Sequence, residues 1–471
     1  MIRTLPQGFI EMLAGYGCPE VTDKLVEALA TSDPSLAVRA NTAKGMEIKA
    51  QGDSVPWLDG KAVYLDRRPN FALDPAWHQG LYYVQDASSM ILTHIVKKIA
   101  AEIFGDAPLR YLDACAAPGG KSIAAAEALP AGSCLLSNEY DPRRAAVLAE
   151  NMAKYGMPGS AVSQGDTSRL AALGEIFDIV AVDAPCSGEG MMRKEPEAIA
   201  QWTPQLIDSC ATLQRDILAN AWRALRGGGV LFYSTCTFNR REDEENLAYI
   251  IEELGGESID LGLDSFEGVH KGFSTPYHCY RFMPGHVRGE GLFIAAVRKS
   301  GDSAGKIKAK KAAVKAPEVR RFAAAVLAAA EQYAIRQDRA GEYYAVPQSD
   351  EQFFDFLAEK LHLISCGVPL CRVKGKDLVP AWQLAFSQAL APGAFPSVVL
   401  DRAGALSYLH GDSLADIPDD LPRGFATVNY AGHPLGFIKN IGRRANNLYP
   451  DAIRLRLDPA KGIDNDYLSL L

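Results

Sequence analysis

Two stretches of the chain place a cysteine where chemistry could happen. Phe177-Asp178-Ile179-Val180-Ala181-Val182-Asp183 reads as a buried strand running into Ala184-Pro185-Cys186-Ser187-Gly188-Glu189-Gly190, and Leu231-Phe232-Tyr233-Ser234-Thr235 as another that ends in Cys236-Thr237. Open parallel sheets bind ligands at the carboxyl ends of their strands, so both thiols are expected at one ligand-binding edge. A lone free cysteine is more often inert core filling. Two that end neighbouring strands are harder to dismiss.

A third stretch, Asp113-Ala114-Cys115-Ala116-Ala117-Pro118-Gly119-Gly120-Lys121, follows an apolar strand and opens an Ala-rich helix at 122–129. Glycines let a backbone approach a ligand, and the free N–H groups of a helix start can face it. Glu139 ends the next strand, where doubly wound folds place a carboxylate for ribose hydroxyls. Asp166, after the third strand, sits where it can reach the adenine edge of a nucleoside lying across the strand ends. The plain alternatives are a strand-to-helix turn, a solvated strand end and a common Gly-Asp turn. A nicotinamide dinucleotide would want Gly-x-Gly-x-x-Gly after the strand, a spacing this loop lacks.

Two thiols beside such a site suit one reaction in particular. Carbon 5 of cytosine is too electron-poor to attack a methyl sulfonium, but a thiolate adding at carbon 6 turns the ring into an enamine whose carbon 5 is nucleophilic. The proton on carbon 5 must then leave before the thiol can be eliminated, and a second cysteine can assist, directly or through water. Asp183 could hold the N3 and amino edge of the base or touch the cofactor. Strand-end geometry alone allows either thiol to attack.

The elements that must position these residues follow from periodicity. Strands are expected at 109–113, 134–139, 161–164, 177–183 and 230–235, with helical faces between them at 142–155 and 205–225, the latter stopped by Gly227-Gly228-Gly229. Two more strands, 279–283 and 291–297, lie too close together for a helix and suggest an antiparallel hairpin at the sheet edge. The fold class expected is α/β: a doubly wound, Rossmann-like sheet of the class I methyltransferase kind with a helical N-terminal region and small α+β C-terminal modules, an inference from fold analogy. Lys306, Lys308, Lys310, Lys311 and Lys315 stand among small residues in a stretch that reads as a linker. Beyond it a helical region at 318–337 leads to β-like segments, including 428–431 and 435–438, consistent with small α+β modules.

At 471 residues, the chain exceeds one core and suggests about three domains. Its formal charge of -8 means that any nucleic acid must be met by local patches. Nine scattered cysteines form a poor disulfide framework, suiting a reducing compartment, and Cys366 and Cys371 lack the second pair that a zinc site needs. Neither a signal peptide nor an apolar run of about 18 residues is evident, so a cytosolic protein is expected.

Asp113 to Lys121, Asp183-Ala184-Pro185-Cys186-Ser187-Gly188 and Ser234-Thr235-Cys236-Thr237, in that order, resemble the Nop/Sun family of RNA cytosine-5 methyltransferases. Arg39-Ala40-Asn41-Thr42, Tyr83-Val84-Gln85-Asp86-Ala87-Ser88-Ser89 and Gly432-His433-Pro434-Leu435-Gly436 are similar to its bacterial RsmF branch, so the resemblance spans nearly the whole chain. It implies S-adenosylmethionine as cofactor, held by Cys115, Ala116, Ala117, Pro118, Gly119, Gly120, Lys121, Glu139, Asp166 and Asp183. It implies that Cys236 attacks the base and Cys186 assists release, with the decoding region of 16S rRNA as substrate and no metal.

The domains implied are an N-terminal RNA-binding region (1–80), a methyltransferase core (81–300), the Lys-rich linker (301–318), an intermediate module (319–390) and a PUA-like RNA-binding module (391–471). Candidate phosphate contacts are Arg193 and Lys194, the linker, and Lys439, Arg443, Arg444 and Arg454 near Phe437 and Tyr449; the tail cluster is the first choice. The acidic run 242–245 reads as favourable charge at a helix start. The same chemistry on tRNA and a non-catalytic RNA-binding assembly factor remain alternatives, the second opposed by the presence of both thiols and the cofactor carboxylates.

Overall fold

The computed structural model describes residues 2–48, 52–310, 314–414 and 417–462; Lys311 lies outside these. The N-terminal region holds helices α1 (Gln7–Ala14) and α2 (Pro19–Thr31) and the strands β1 (Ala37–Ala40), β2 (Ala62–Tyr64) and β3 (Tyr82–Val84), with α3 (Pro75–His78) before β3. Then come α4 (Ile91–Phe104), β4 (Arg110–Asp113), α5 (Gly120–Ala128), β5 (Cys134–Glu139), α6 (Pro142–Tyr155), β6 (Ser160–Gln164) and α7 (Thr167–Ala171). They are followed by β7 (Phe177–Asp183), α8 (Pro196–Gln201), α9 (Pro204–Ala224), β8 (Leu225–Thr235), α10 (Glu244–Glu252), β9 (Gly256–Ile259), β10 (His270–Lys271), β11 (Tyr280–Phe282) and β12 (Leu292–Lys299). Past the linker lie α11 (Pro317–Val326), β13 (Tyr333–Gln337), β14 (Tyr343–Pro347), α12 (Glu351–Lys360), β15 (Leu363–Cys366), β16 (Val368–Lys374) and β17 (Asp377–Pro380). The last elements are β18 (Ser397–Val399), α13 (Arg402–His410), β19 (Gly424–Tyr430), β20 (His433–Asn440) and β21 (Ala445–Asn447).

The central sheet runs β10-β11-β12-β8-β7-β4-β5-β6-β15, with β9 also paired to β12. Strands β4 to β8 are parallel, and β11 and β12 form the antiparallel hairpin, Tyr280 opposite Ile294. Consecutive strand residues point to opposite faces, and here both sets are apolar. Tyr111, Leu135, Ile179 and Phe232 join one core cluster, Leu112, Leu136, Val180 and Tyr233 the other. Burying each such side chain contributes about 1.5–3 kcal/mol, which makes the parallel strands the rigid base of whatever sits at their ends. This is the α/β sheet expected from the sequence.

Three readings need correction. The segment read as helix at 318–337 is helical only over Pro317–Val326, and Tyr333–Gln337 is a strand paired to β14; its Tyr and Ile suit a pleated surface better than a helix. Helix α9 ends before the glycines, at Leu225, whose backbone is already extended, and Gly227 instead donates to the Ser303 carbonyl at 2.8 Å. The linker therefore lies on the core: Ile307 and Ala309 pack against the second cluster, and the Lys310 N–H donates to Glu359 at 2.9 Å. Strand β15 pairs antiparallel with β6, extending the central sheet with a piece of chain from beyond the linker.

Candidate active site

The loop after β4 is held from beneath. Asp113 is buried and accepts a hydrogen bond from Ser122 Oγ at 2.7 Å, and Ser137 Oγ donates to Ser122 Oγ at 2.9 Å. Burial pushes the Asp113 carboxyl up to about 7, and its Oδ1 has no hydrogen-bond partner. Burial likewise pushes the Cys115 thiol well up. Gly119, at φ 112°, turns the chain into α5, which has no side-chain cap, so its first N–H groups face outward. The carbonyls of Ala117 and Pro118 accept from Arg144 (2.7 Å) and Asn151 (2.8 Å) of α6.

The RsmF-type segments brace the same loop. Arg39, fully buried, pairs with Glu127 on α5 and donates to Thr93 Oγ1 (2.9 Å) and Gln85 Oε1 (3.2 Å). The N-terminal region thus fixes the helix that begins with Gly120 and Lys121. The tail segment docks on this region too, since Gln79 Nε2 donates to the carbonyls of Tyr430 (2.9 Å) and His433 (2.6 Å).

Along the edge, Glu139 is 5% exposed and accepts from the Asp141 N–H at 3.0 Å, with Arg144 Nη1 at 3.4 Å. It is no solvated strand end. Asp166 is exposed and caps α7, accepting from the Ser168 N–H at 2.9 Å; that hydrogen bonding lowers its pKa. Asp183 accepts from Ser234 Oγ at 2.9 Å and meets Lys121 Nζ at 2.8 Å. Burial works against the Lys121 charge, but Asp183 more than offsets it and the lysine pKa is raised.

The two thiols meet, with Cys186 Sγ and Cys236 Sγ 3.2 Å apart. The hydrogen bond to Cys236, and then burial, hold the Cys186 thiol well above its usual range. The Cys236 carbonyl accepts from the Gly190 N–H at 2.7 Å, and a Cβ at position 190 would lie 2.3 Å from that oxygen. Only glycine permits this approach.

Two buried carboxylates, one given no role in the sequence reading and the other read only as helix-start charge, bind the thiol loops to each other. Glu189 accepts from Trp202 Nε1 (2.9 Å) and from the N–H groups of Phe238 (2.6 Å) and Asn239 (3.0 Å). Glu242 accepts from the Ser187 N–H (3.0 Å) and hydroxyl, Gln214 Nε2 (2.7 Å) and Asn239 Nδ2 (2.8 Å). Asp243 and Glu244 pair with the buried Arg281 at 2.9 and 2.6 Å. The acidic run 242–245 does place Glu244 and Glu245 in the first turn of α10, as expected, but it is mostly an internal scaffold with only Glu245 exposed; its signal in the sequence was four acids in a row a few residues after a thiol motif.

The basic candidates fare unevenly. Arg193 is buried against Glu290 at 2.8 Å, and Lys194 lies 3.7 Å from the same carboxylate. Lys439 pairs with Asp377 and Arg454 with Asp451 at 2.6 Å, whereas Arg443 and Arg444 are exposed. Phe437 and Tyr449 are core residues, 2% and 3% exposed, and cannot stack on a base.

A parallel sheet carrying an uncapped glycine turn after β4 and carboxylates at the next strand ends defines a methyltransferase dependent on S-adenosylmethionine. The donor set fits that cofactor: free N–H groups at the start of α5, and Glu139, Asp166 and Asp183 along the edge. The chain matches three family descriptions: the N-terminal domain of 16S rRNA methyltransferase RsmF at 5–87, 16S rRNA methyltransferase RsmB/F at 106–298 and the methyltransferase RsmF PUA domain at 395–455. Ribosomal RNA small subunit methyltransferase F of Shewanella amazonensis is 30% identical over 441 residues, spanning 88% of this chain and 91% of that one. The protein of the same name from Enterobacter sp. (strain 638) is 33% identical over 415 residues, 84% of this chain and 83% of its own. The solved structure of NSun6 from Pyrococcus horikoshii with SFG, at 20% identity, superposes with a TM-score of 0.52 over 63% of this chain and 99% of its own, a likeness of fold. The chain belongs to the ribosomal RNA small subunit methyltransferase F (RsmF) family. No helix among the described residues is long and apolar enough to cross a membrane.

Proposed function

We propose that this chain methylates carbon 5 of a cytosine in 16S rRNA, with Cys236 as the covalent nucleophile and Cys186 assisting release. The observation that carries this reading is the 3.2 Å approach of the two thiols beside the Lys121–Asp183 pair. Cys186, held protonated, is suited to donate toward the other sulfur, which leaves Cys236 to form the bond to carbon 6. The electron pair displaced from the ring double bond makes carbon 5 nucleophilic. S-adenosylmethionine, when bound, supplies the electrophilic methyl group. Loss of the carbon 5 proton to a water molecule, a transfer assisted by Cys186, then restores the double bond as the Cys236 sulfur leaves with the pair that bound it.

Residues 115–121, Glu139, Asp166 and Asp183 are assigned to the cofactor, and Lys121, which feels the charge of Cys236 and pairs with Asp183, can also steady charge on the ring. The substrate assignment rests on the names of the relatives, and nine free thiols suit a reducing cytoplasm. The test supplies cofactor with 16S rRNA, small subunits or tRNA and resolves products on a denaturing gel. Cys236→Ser should lose at least a thousandfold in turnover and form no adduct. Cys186→Ser should accumulate a denaturant-resistant protein–RNA complex. Accumulation in the Cys236 variant instead would reverse the roles, and full activity in both would remove the thiol mechanism.

A further inference from the structure

A groove of about 1240 Å³ lies where α12 and β15 face the sheet β13-β14-β16-β17, with Leu448 and Pro450 of the C-terminal module also lining it. That is more than the roughly 300–1,000 Å³ that holds a small molecule. Arg169, Arg339, Lys360 and Arg372 line it, all exposed, and none of them is in an ion pair among the described residues, although Lys360 lies over the Phe356 ring at 5.9 Å. Arg336, by contrast, is locked in the floor by Asp355 at 2.6 Å and Glu351 at 3.0 Å. In total the lining has six Lys and Arg against four carboxylates, in a chain whose net charge is -8. Half-buried Tyr343 and Trp382 add aromatic surface to it.

We propose that this groove is the docking channel for a single-stranded segment of the substrate RNA, an inference that rests on the RNA reading above. Unpaired cations spaced along a channel with aromatic rings among them are what an extended RNA strand needs: phosphates meet the cations and bases stack on the rings. A protein segment pairing with the edge of β15 would be the other occupant of such a groove. The free arginines favour the polyanion, because a peptide strand would leave them unmatched.

The groove also adjoins the reaction edge. Arg169 follows Asp166 by three residues, and His362 lies 3.4 Å from Gln164 at the end of β6. From β8, which carries Cys236, to β15 is five strand steps, about 24 Å at roughly 4.8 Å each. RNA that fills the groove while its cytosine reaches the thiols must therefore extend well beyond the target nucleotide.

The test compares Arg339→Glu/Arg372→Glu with Arg443→Glu/Arg444→Glu, using full-length protein and a 16S rRNA transcript. The groove pair should weaken RNA binding at least tenfold and flatten its logarithmic salt dependence by about 1.4, two contacts at roughly 0.7 each. Its affinity for S-adenosylhomocysteine should stay within twofold. The tail pair should change RNA affinity less than threefold, and a 4-thiouridine-substituted transcript should crosslink within residues 333–383. Unchanged RNA affinity and salt slope in the groove pair, or crosslinks confined to the tail, would overturn the inference. Crosslinking of a protein instead of RNA at β15 would do so too. If the parent protein binds no RNA at all, the functional reading above fails first.

Discussion

The two ends of the reaction edge are built on opposite plans. At the ends of β4 and β5, hydrogen-bonding capacity is left open: α5 starts uncapped, and Glu139 accepts one N–H and leans on one arginine. At the ends of β7 and β8 the carboxylates are engaged by the protein itself, Glu189 by three donors and Glu242 by four. One end keeps its polar groups for a ligand, while the other uses them to hold two thiols at contact distance. Substituting Glu139 should therefore disturb binding, and substituting Glu189 or Glu242, folding.

The largest effect should come from Glu242→Leu, which strands four buried donors. Each unsatisfied group costs about 1–3 kcal/mol, and partial relaxation makes a total of roughly 3–5 kcal/mol the expectation. Urea denaturation measures this, and calorimetry should find cofactor affinity within twofold. A variant as stable as its parent would break the contrast.

Next comes a pH effect at Asp113, whose carboxyl is raised by burial from 3.8 to about 7. Below the unfolded value both states are protonated, and between the two values only the folded state keeps the proton. Stability should thus fall as pH rises through that window, by up to ~1.4 kcal/mol per pH unit, and level off above it. Asp113→Asn should remove that share of the slope; parallel stability profiles from pH 5 to 8 would show that the carboxylate is accommodated after all.

The smallest is Glu139→Ala, expected to weaken S-adenosylmethionine about tenfold, or ~1.4 kcal/mol, with little change in stability. Calorimetry beside a melting curve decides it. A large loss of stability with unchanged affinity would place Glu139 with the scaffold and blur the distinction between the two ends.

Periodicity made the centre of the molecule legible. Residues 134–139, 142–155 and 177–183 were expected to the residue because doubly buried strands and an amphipathic helix leave unambiguous patterns. What stayed hidden depends on partners distant in sequence. Nothing in Glu189, Glu242 or Arg281 announces burial, since a charged residue reads as surface until its donors are in place. Arg193 looked available for phosphate for the same reason, Glu290 being 97 residues away. Strand β15 was invisible because its pairing with β6 spans some 200 residues.

That borrowed strand has a consequence for how the polypeptide can be divided. With β15 in place, the backbone groups on the outer side of β6 are satisfied, Gln164 N–H by the His362 carbonyl at 3.0 Å among them. A chain cut near residue 300 would bare that flank of a hydrophobic parallel sheet, the kind of open template that recruits strands from other molecules. The segment after the linker is thus a guard against self-association as well as an appendage. Replacing it by another module would need an equivalent cover for β6.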